Sequence, residues 1–169
     1  PDPAQMQDIL EFIENSAGPV LKVWLANKEV DYFYLKNDEQ LKSPYRKLFT
    51  ENGDVFTFLD THTIEIRKTN PCVDSNGLEV DGSIYTPSPD AICISTQRIT
   101  PKLNKYNFRV ETLALIIHEF SHLMGATEAE AVEIQKNLIS DLHNQPFWKI
   151  NSELYNVGGS KMTDGKVYG

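Results

Sequence analysis

His118, Glu119 and His122 are the residues of this chain whose types and spacing could do chemistry. They form a His-Glu-x-x-His pattern inside residues 113–125, a stretch that is otherwise mostly apolar. On a helix, residues four apart lie nearly one above the other, so His118 and His122 can aim two imidazoles at one ion. Glu119 is one residue along and can reach a water held by that ion. Catalytic zinc needs this arrangement: two neutral nitrogen ligands, a third protein ligand, an open position for water, and a base beside the water. Leu113, Leu115, Ile116, Ile117, Phe120, Leu123 and Met124 leave the helix apolar on nearly every side, which places it in the interior. There, unpaired polar groups are costly, so a metal site explains the pattern better than chance on a solvated face.

The elements around the motif are set by local signals. Asn107 or a neighbour starts the motif helix, and Gly125 falls where a helix stops in a left-handed turn. Thr127 and Glu130 then match a capping box that opens a second helix running to about His143, with Ala131, Ile134, Leu138, Ile139 and Leu142 inward. Upstream, residues 3–16 read as a first helix with Asp2 as cap and Pro3 at its first position, ended by Gly18-Pro19. Residues 20–25 and 29–35 carry strand-type apolar and aromatic residues. Residues 38–49 are weakly helical and interrupted at Ser43-Pro44, where a new helix can begin. A turn at Asn52-Gly53-Asp54 precedes segments 55–59 and 63–67, which alternate like a hairpin. Residues 69–89 are turn-rich. Their scattered acids, Asp74, Glu79 and Asp81, lack the spacing of a calcium loop and read as a solvated loop. Residues 91–95 form a short strand just upstream of the motif. In the tail, Phe147, Trp148 and Tyr155 are expected to pack against the body.

The length of 169 residues suits one α+β domain spanning 1–169, with a sheet-bearing part to about residue 124 and a helical part beyond it. A net charge of −8 argues against nucleic acid or an anionic membrane as partner. No apolar run approaches the roughly 20 residues of a bilayer span. Cys72 and Cys93 are either one disulfide or two buried thiols. The disulfide is the favoured reading and, with a chain that begins at Pro1, leads to the expectation of a secreted or periplasmic protein freed of an export signal.

At the motif the chain resembles the zincin metallopeptidases, whose signature is His-Glu-x-x-His. The resemblance covers about one-fifth of the chain, from the strand before the motif helix through the segment after it. It implies a small twisted mixed sheet packed on a buried active-site helix, Zn2+ as cofactor, and a peptide or protein substrate. The spacing His-Glu-x-x-His-x-x-Gly-x-x-Glu is similar to the metzincin pattern, with Glu128 where a third histidine would stand. It is also similar to the gluzincin pattern, in which a glutamate in Glu-x-x-Ala context completes the site. Both similarities select Glu128 as third ligand, with Glu130 as rival. The glutamate follows the second histidine more closely than in most gluzincins, and Met162 is a weak match to a metzincin methionine turn. Peptide deformylases also carry the motif with a cysteine ligand upstream, but Cys93 stands too near His118 for that arrangement and reads as structural.

The resemblance further implies that residues 91–95 form a sheet edge along which a substrate strand pairs, an ordinary internal strand being the alternative. A tyrosine or histidine would assist the oxyanion, with Tyr155, His143 and Tyr106 as candidates; His62 is expected in an exposed turn. Glu119 would be the general base in zinc-dependent hydrolysis of peptide bonds. The competing expectation is a zinc-stabilised binding module, silent or gated, on the same scaffold.

Overall fold

The computed structural model describes residues 2–51 and 54–144 and the backbone of residues 167–168. It is a mixed α+β structure. Helix α1 (Met6–Phe12) passes through a π-helical turn (Ile13–Ala17) into α2 (Gly18–Tyr34), followed by α3 (Asn37–Lys42), a second π-helical turn (Lys47–Glu51) and α4 (Val55–Thr61). The sheet region holds β1 (Thr63–Arg67), β2 (Cys72–Val73), β3 (Glu79–Val80), β4 (Gly82–Ser83) and β5 (Ala91–Ser95). A short α5 (Thr96–Ile99) and a 3-10 turn (Thr100–Lys102) lead to α6 (Phe108–Leu123), α7 (Glu128–Asn144) and β6 (Val167–Tyr168).

The N-terminal third is more helical than its residues suggest. The first helix starts at Met6 and not at Pro3, which instead bridges to Asn104 in extended backbone. Gly18-Pro19 does not end it. A proline inside a helix lacks the N–H for the i−4 carbonyl and crowds that carbonyl. The carbonyl in question is that of Asn15, within the wider π turn, so the conflict is absorbed where it arises. Residues 20–25 and 29–35, expected as strands, therefore belong to α2 as far as Tyr34, and Leu35 is the extended residue that follows the helix. Its buried positions Val20, Leu21, Trp24 and Leu25 follow helical spacing. Trp24 Nε1 donates to Asp141 Oδ2 at 2.8 Å, tying α2 to α7. Ser43-Pro44 does interrupt the next segment, between α3 and the second π turn.

The expected hairpin of 55–59 with 63–67 is also replaced. The Asp54 side chain caps α4 by accepting from the Phe56 amide at 2.9 Å, and Val55 and Leu59 are buried one turn apart. Only 63–67 is a strand. β1 pairs in parallel with β5, from Thr63 opposite Ala91 to Arg67 opposite Ser95. The sheet order is β4-β5-β1-β6, with β4 antiparallel to β5. Residues 91–95 are thus an internal strand and not the edge; every residue of β5 is buried, and β4 is the terminal strand on that side. Ile64, Ile66, Ile92 and Ile94 are fully buried and belong to the same core as Leu113, Ile116, Ile117 and Phe120 of α6.

The turn-rich stretch spends its acids on local structure. Asp74 Oδ1 accepts from the amides of Asn76 and Leu78, and Gly77 takes a positive φ of 78° in the turn between β2 and β3. Cys72 and Cys93 form a disulfide across a sequence separation of 21, fastening β2 to the middle of β5. Among the described residues, no helix is long and apolar enough to cross a membrane. Replacing both cysteines with serine is expected to lower unfolding stability by about 3 kcal/mol, the loop-closure contribution of a link of this span. Denaturant titration of the variant against the parent checks this.

Candidate metal centre

The motif helix ends in a hydrogen-bonded turn that brings the next helix back alongside it. The Gly125 amide donates to the His122 carbonyl at 3.0 Å and the Ala126 amide to the Ser121 carbonyl at 2.9 Å. These are the two bonds of a Schellman motif, and Gly125 carries the positive φ it requires, 97°. The Thr127–Glu130 capping box then forms: the Thr127 amide donates to Glu130 Oε1 at 2.9 Å and the Glu130 amide to Thr127 Oγ1 at 3.2 Å. With α7 starting so soon, Glu128 in its first turn returns to the histidines.

His118 Nε2 lies 2.9 Å from Glu128 Oε1, and His122 Nε2 lies 3.4 Å from Glu128 Oε2. Ligand atoms of all three residues fall within 4.8 Å of one another, a grouping that could hold a metal ion. Glu130 is drawn elsewhere, by the cap and by Lys47 Nζ at 3.0 Å. Partial burial works to raise its pKa, but the Thr127 amide and the Lys47 ammonium outweigh that and hold the carboxyl below its ordinary value.

Both imidazoles are oriented through their other nitrogens. His118 Nδ1 is 2.7 Å from Gln135 Oε1 and His122 Nδ1 is 3.1 Å from the Ala126 carbonyl. Each of those oxygens is an acceptor, so each Nδ1 carries the hydrogen, and in the neutral ring Nε2 presents its lone pair. Two nitrogen lone pairs and a carboxylate then converge on one small volume. A cation would relieve that convergence, and two imidazoles with one carboxylate are a donor set that could hold a metal ion.

Glu119 is buried, about 7% exposed, while Glu128 is exposed. Burial, and secondarily the Glu128 carboxylate, push the Glu119 pKa up to about 7. Its neighbour on the sheet side is Gly82 of β4. A Cβ there would lie 3.3 Å from Glu119 Cγ and 3.0 Å from Leu115 Cδ1, so glycine lets the edge strand come this close.

The remaining candidates that fall among the described residues are not brought to the cluster. His143 lies in the last turn of α7, fifteen residues from Glu128 and about 22 Å along the helix. Tyr106 is 84% exposed and precedes Phe108, which is itself about 15 Å along α6 from His118. Tyr155, Phe147, Trp148 and Met162 lie outside the described residues. His62 is half-buried at the end of α4 and not exposed, stacked on Phe58 with ring centroids 3.6 Å apart. Cys93 is held in the disulfide, away from any ligand role. Two participants escaped sequence reasoning. Gln135 could have been found, since it falls two turns after Glu128 on the same side of α7. Gly82 sits in a loop-like run with no local signal of its destination.

Compared with protein families, curated proteins and solved structures, the chain matches none of them.

Two outcomes follow from this geometry. If the cluster holds a divalent metal ion, Gln135→Leu is expected to weaken that affinity by about 10–100-fold, the usual effect of losing a group that orients a ligating histidine, as measured by competition with a chelating dye. For metal-free protein, Glu119 binds its proton more tightly folded than unfolded, so its contribution to stability falls as pH rises from 4.5 to about 7. Relative to Glu119→Gln, the parent should lose about 3 kcal/mol over that interval, read from urea titrations in the presence of chelator.

Proposed function

We propose that this chain is a zinc-dependent metallopeptidase on a zincin-like scaffold, hydrolysing peptide bonds. The observation that carries the reading is the convergence of His118, His122 and Glu128 beside the buried carboxylate of Glu119. His118 and His122 would hold zinc through Nε2 and Glu128 through its carboxylate. A zinc ion held there supplies Lewis acidity, which polarises a carbonyl and eases the deprotonation of water.

The protein's own groups account for the rest. Glu119 accepts a proton from the attacking water and returns it to the leaving amine. Gln135 and the Ala126 carbonyl keep both rings in the ligating tautomer. An extended peptide would lie along β4, whose Gly82 allows its backbone to pass near the Glu119 side chain. The disulfide is compatible with an exported protein.

Glu119→Gln should retain stoichiometric zinc and lose at least about 100-fold in cleavage of a mixed peptide substrate. Retained cleavage would overturn the role given to Glu119. Stoichiometric zinc in the parent with no cleavage of peptides or casein, with or without chelator, would favour a zinc-stabilised binding module instead.

A further inference from the structure

Next to the metal centre is a cavity of about 290 Å³ whose walls come from four parts of the chain. Its lining includes Glu111 and Leu115 of α6, Ile99 and Leu103, and Asp81 and Lys102. Gln135, which bonds His118, also lines it, so the cavity and the metal centre share a wall. Leu115 is likewise the side chain nearest Gly82 beside Glu119. Glu111, Leu115 and His118 follow one another at four and three residues, a single stripe along α6 leading from the cavity to the histidines. The volume lies at the small end of the roughly 300–1,000 Å³ of ligand pockets and has room for one side chain.

Its charges are unevenly spent. Asp81 accepts from Arg98 Nε at 2.8 Å and from Lys102 Nζ at 2.7 Å, and those contacts hold its carboxyl below the usual range against the opposing effect of partial burial. Lys102 is thereby committed as well. The Glu111 carboxylate has no hydrogen bond or ion pair among the described residues, yet the residue is half-buried on the cavity wall. The cavity thus offers three apolar side chains, the Asn107 amide and one carboxylate without a partner among the described residues. That combination fits a long apolar stem ending in a cation.

We propose that this cavity receives the side chain next to the cleaved bond and that Glu111 makes it select lysine or arginine. The proposal rests on the peptidase reading for its biological use but not for its binding chemistry, so the two are tested separately. In NMR titrations, N-acetyl-lysine methylamide should bind about tenfold or more tightly than N-acetyl-norleucine methylamide, the two differing only in the terminal charge. Glu111→Gln should abolish that ratio while leaving the norleucine affinity unchanged. Equal affinities in the parent, or a ratio that survives Glu111→Gln, would overturn the proposal. In parallel, peptides carrying lysine, norleucine or glutamate beside the scissile bond are compared by kcat/KM in parent and Glu111→Gln. A lysine preference lost in the variant supports the assignment, and cleavage indifferent to that residue overturns it while the peptidase reading stands. A Glu111-dependent lysine preference in the titrations with no peptide cleaved supports the selective cavity and removes the peptidase reading.

Discussion

Withdrawing imidazoles from water is costly unless their polar atoms find partners, and the surroundings of α6 meet that requirement for one nitrogen of each ring. The helix is pressed on a fully buried patch of isoleucines from β1 and β5. His118 and His122 are therefore held where solvent cannot fully serve them, and Gln135 and the Ala126 carbonyl do so instead. The other nitrogen of each ring, Nε2, faces the Glu128 carboxylate. Electron-pair donors gathered in one place make a grouping that could hold a cation.

The turn between α6 and α7 is the device that makes this geometry cheap to reach. Only Met124, Gly125, Ala126 and Thr127 separate the two helices, and each end is closed by its own backbone or side-chain bonds. The same connection supplies the Ala126 carbonyl that orients His122, so the turn is part of the site as well as a link to it. The capping box also decides between two carboxylates: Glu130 is occupied at the helix start, which leaves Glu128 as the one that faces the rings.

On the sheet side, a two-residue edge strand and a glycine set the approach to Glu119. Gly82 pairs with Ile94 of β5 while sitting against Leu115 and the stem of Glu119. A bulkier residue would push the strand or the carboxylate aside, so the pairing register and the position of the carboxylate are coupled through one missing methyl group. The disulfide holds the neighbouring β2 to β5 at Cys93, two strands' width of small structure that has little core of its own.

The sequence by itself determined what is encoded within a few residues: the motif helix, its stop at Gly125, the capping box, the turn chemistry around Asp74, strands 63–67 and 91–95, and a cysteine pair able to close. These depend on i to i+3 or i+4 contacts and on φ preferences, which neighbours in the chain decide among themselves. Tertiary structure alone decided that residues 20–34 and 55–59 are helical, that 91–95 is internal, and that Gln135 and Gly82 belong to the site. Apolar and aromatic runs are compatible with strand or helix, and the outcome rests on which surface buries them; here Trp24 reaches α7 and Leu59 enters the core, both at helical spacing. Partners distant in sequence leave no local trace, because their energy exists only once the chain has folded and water has been excluded between them.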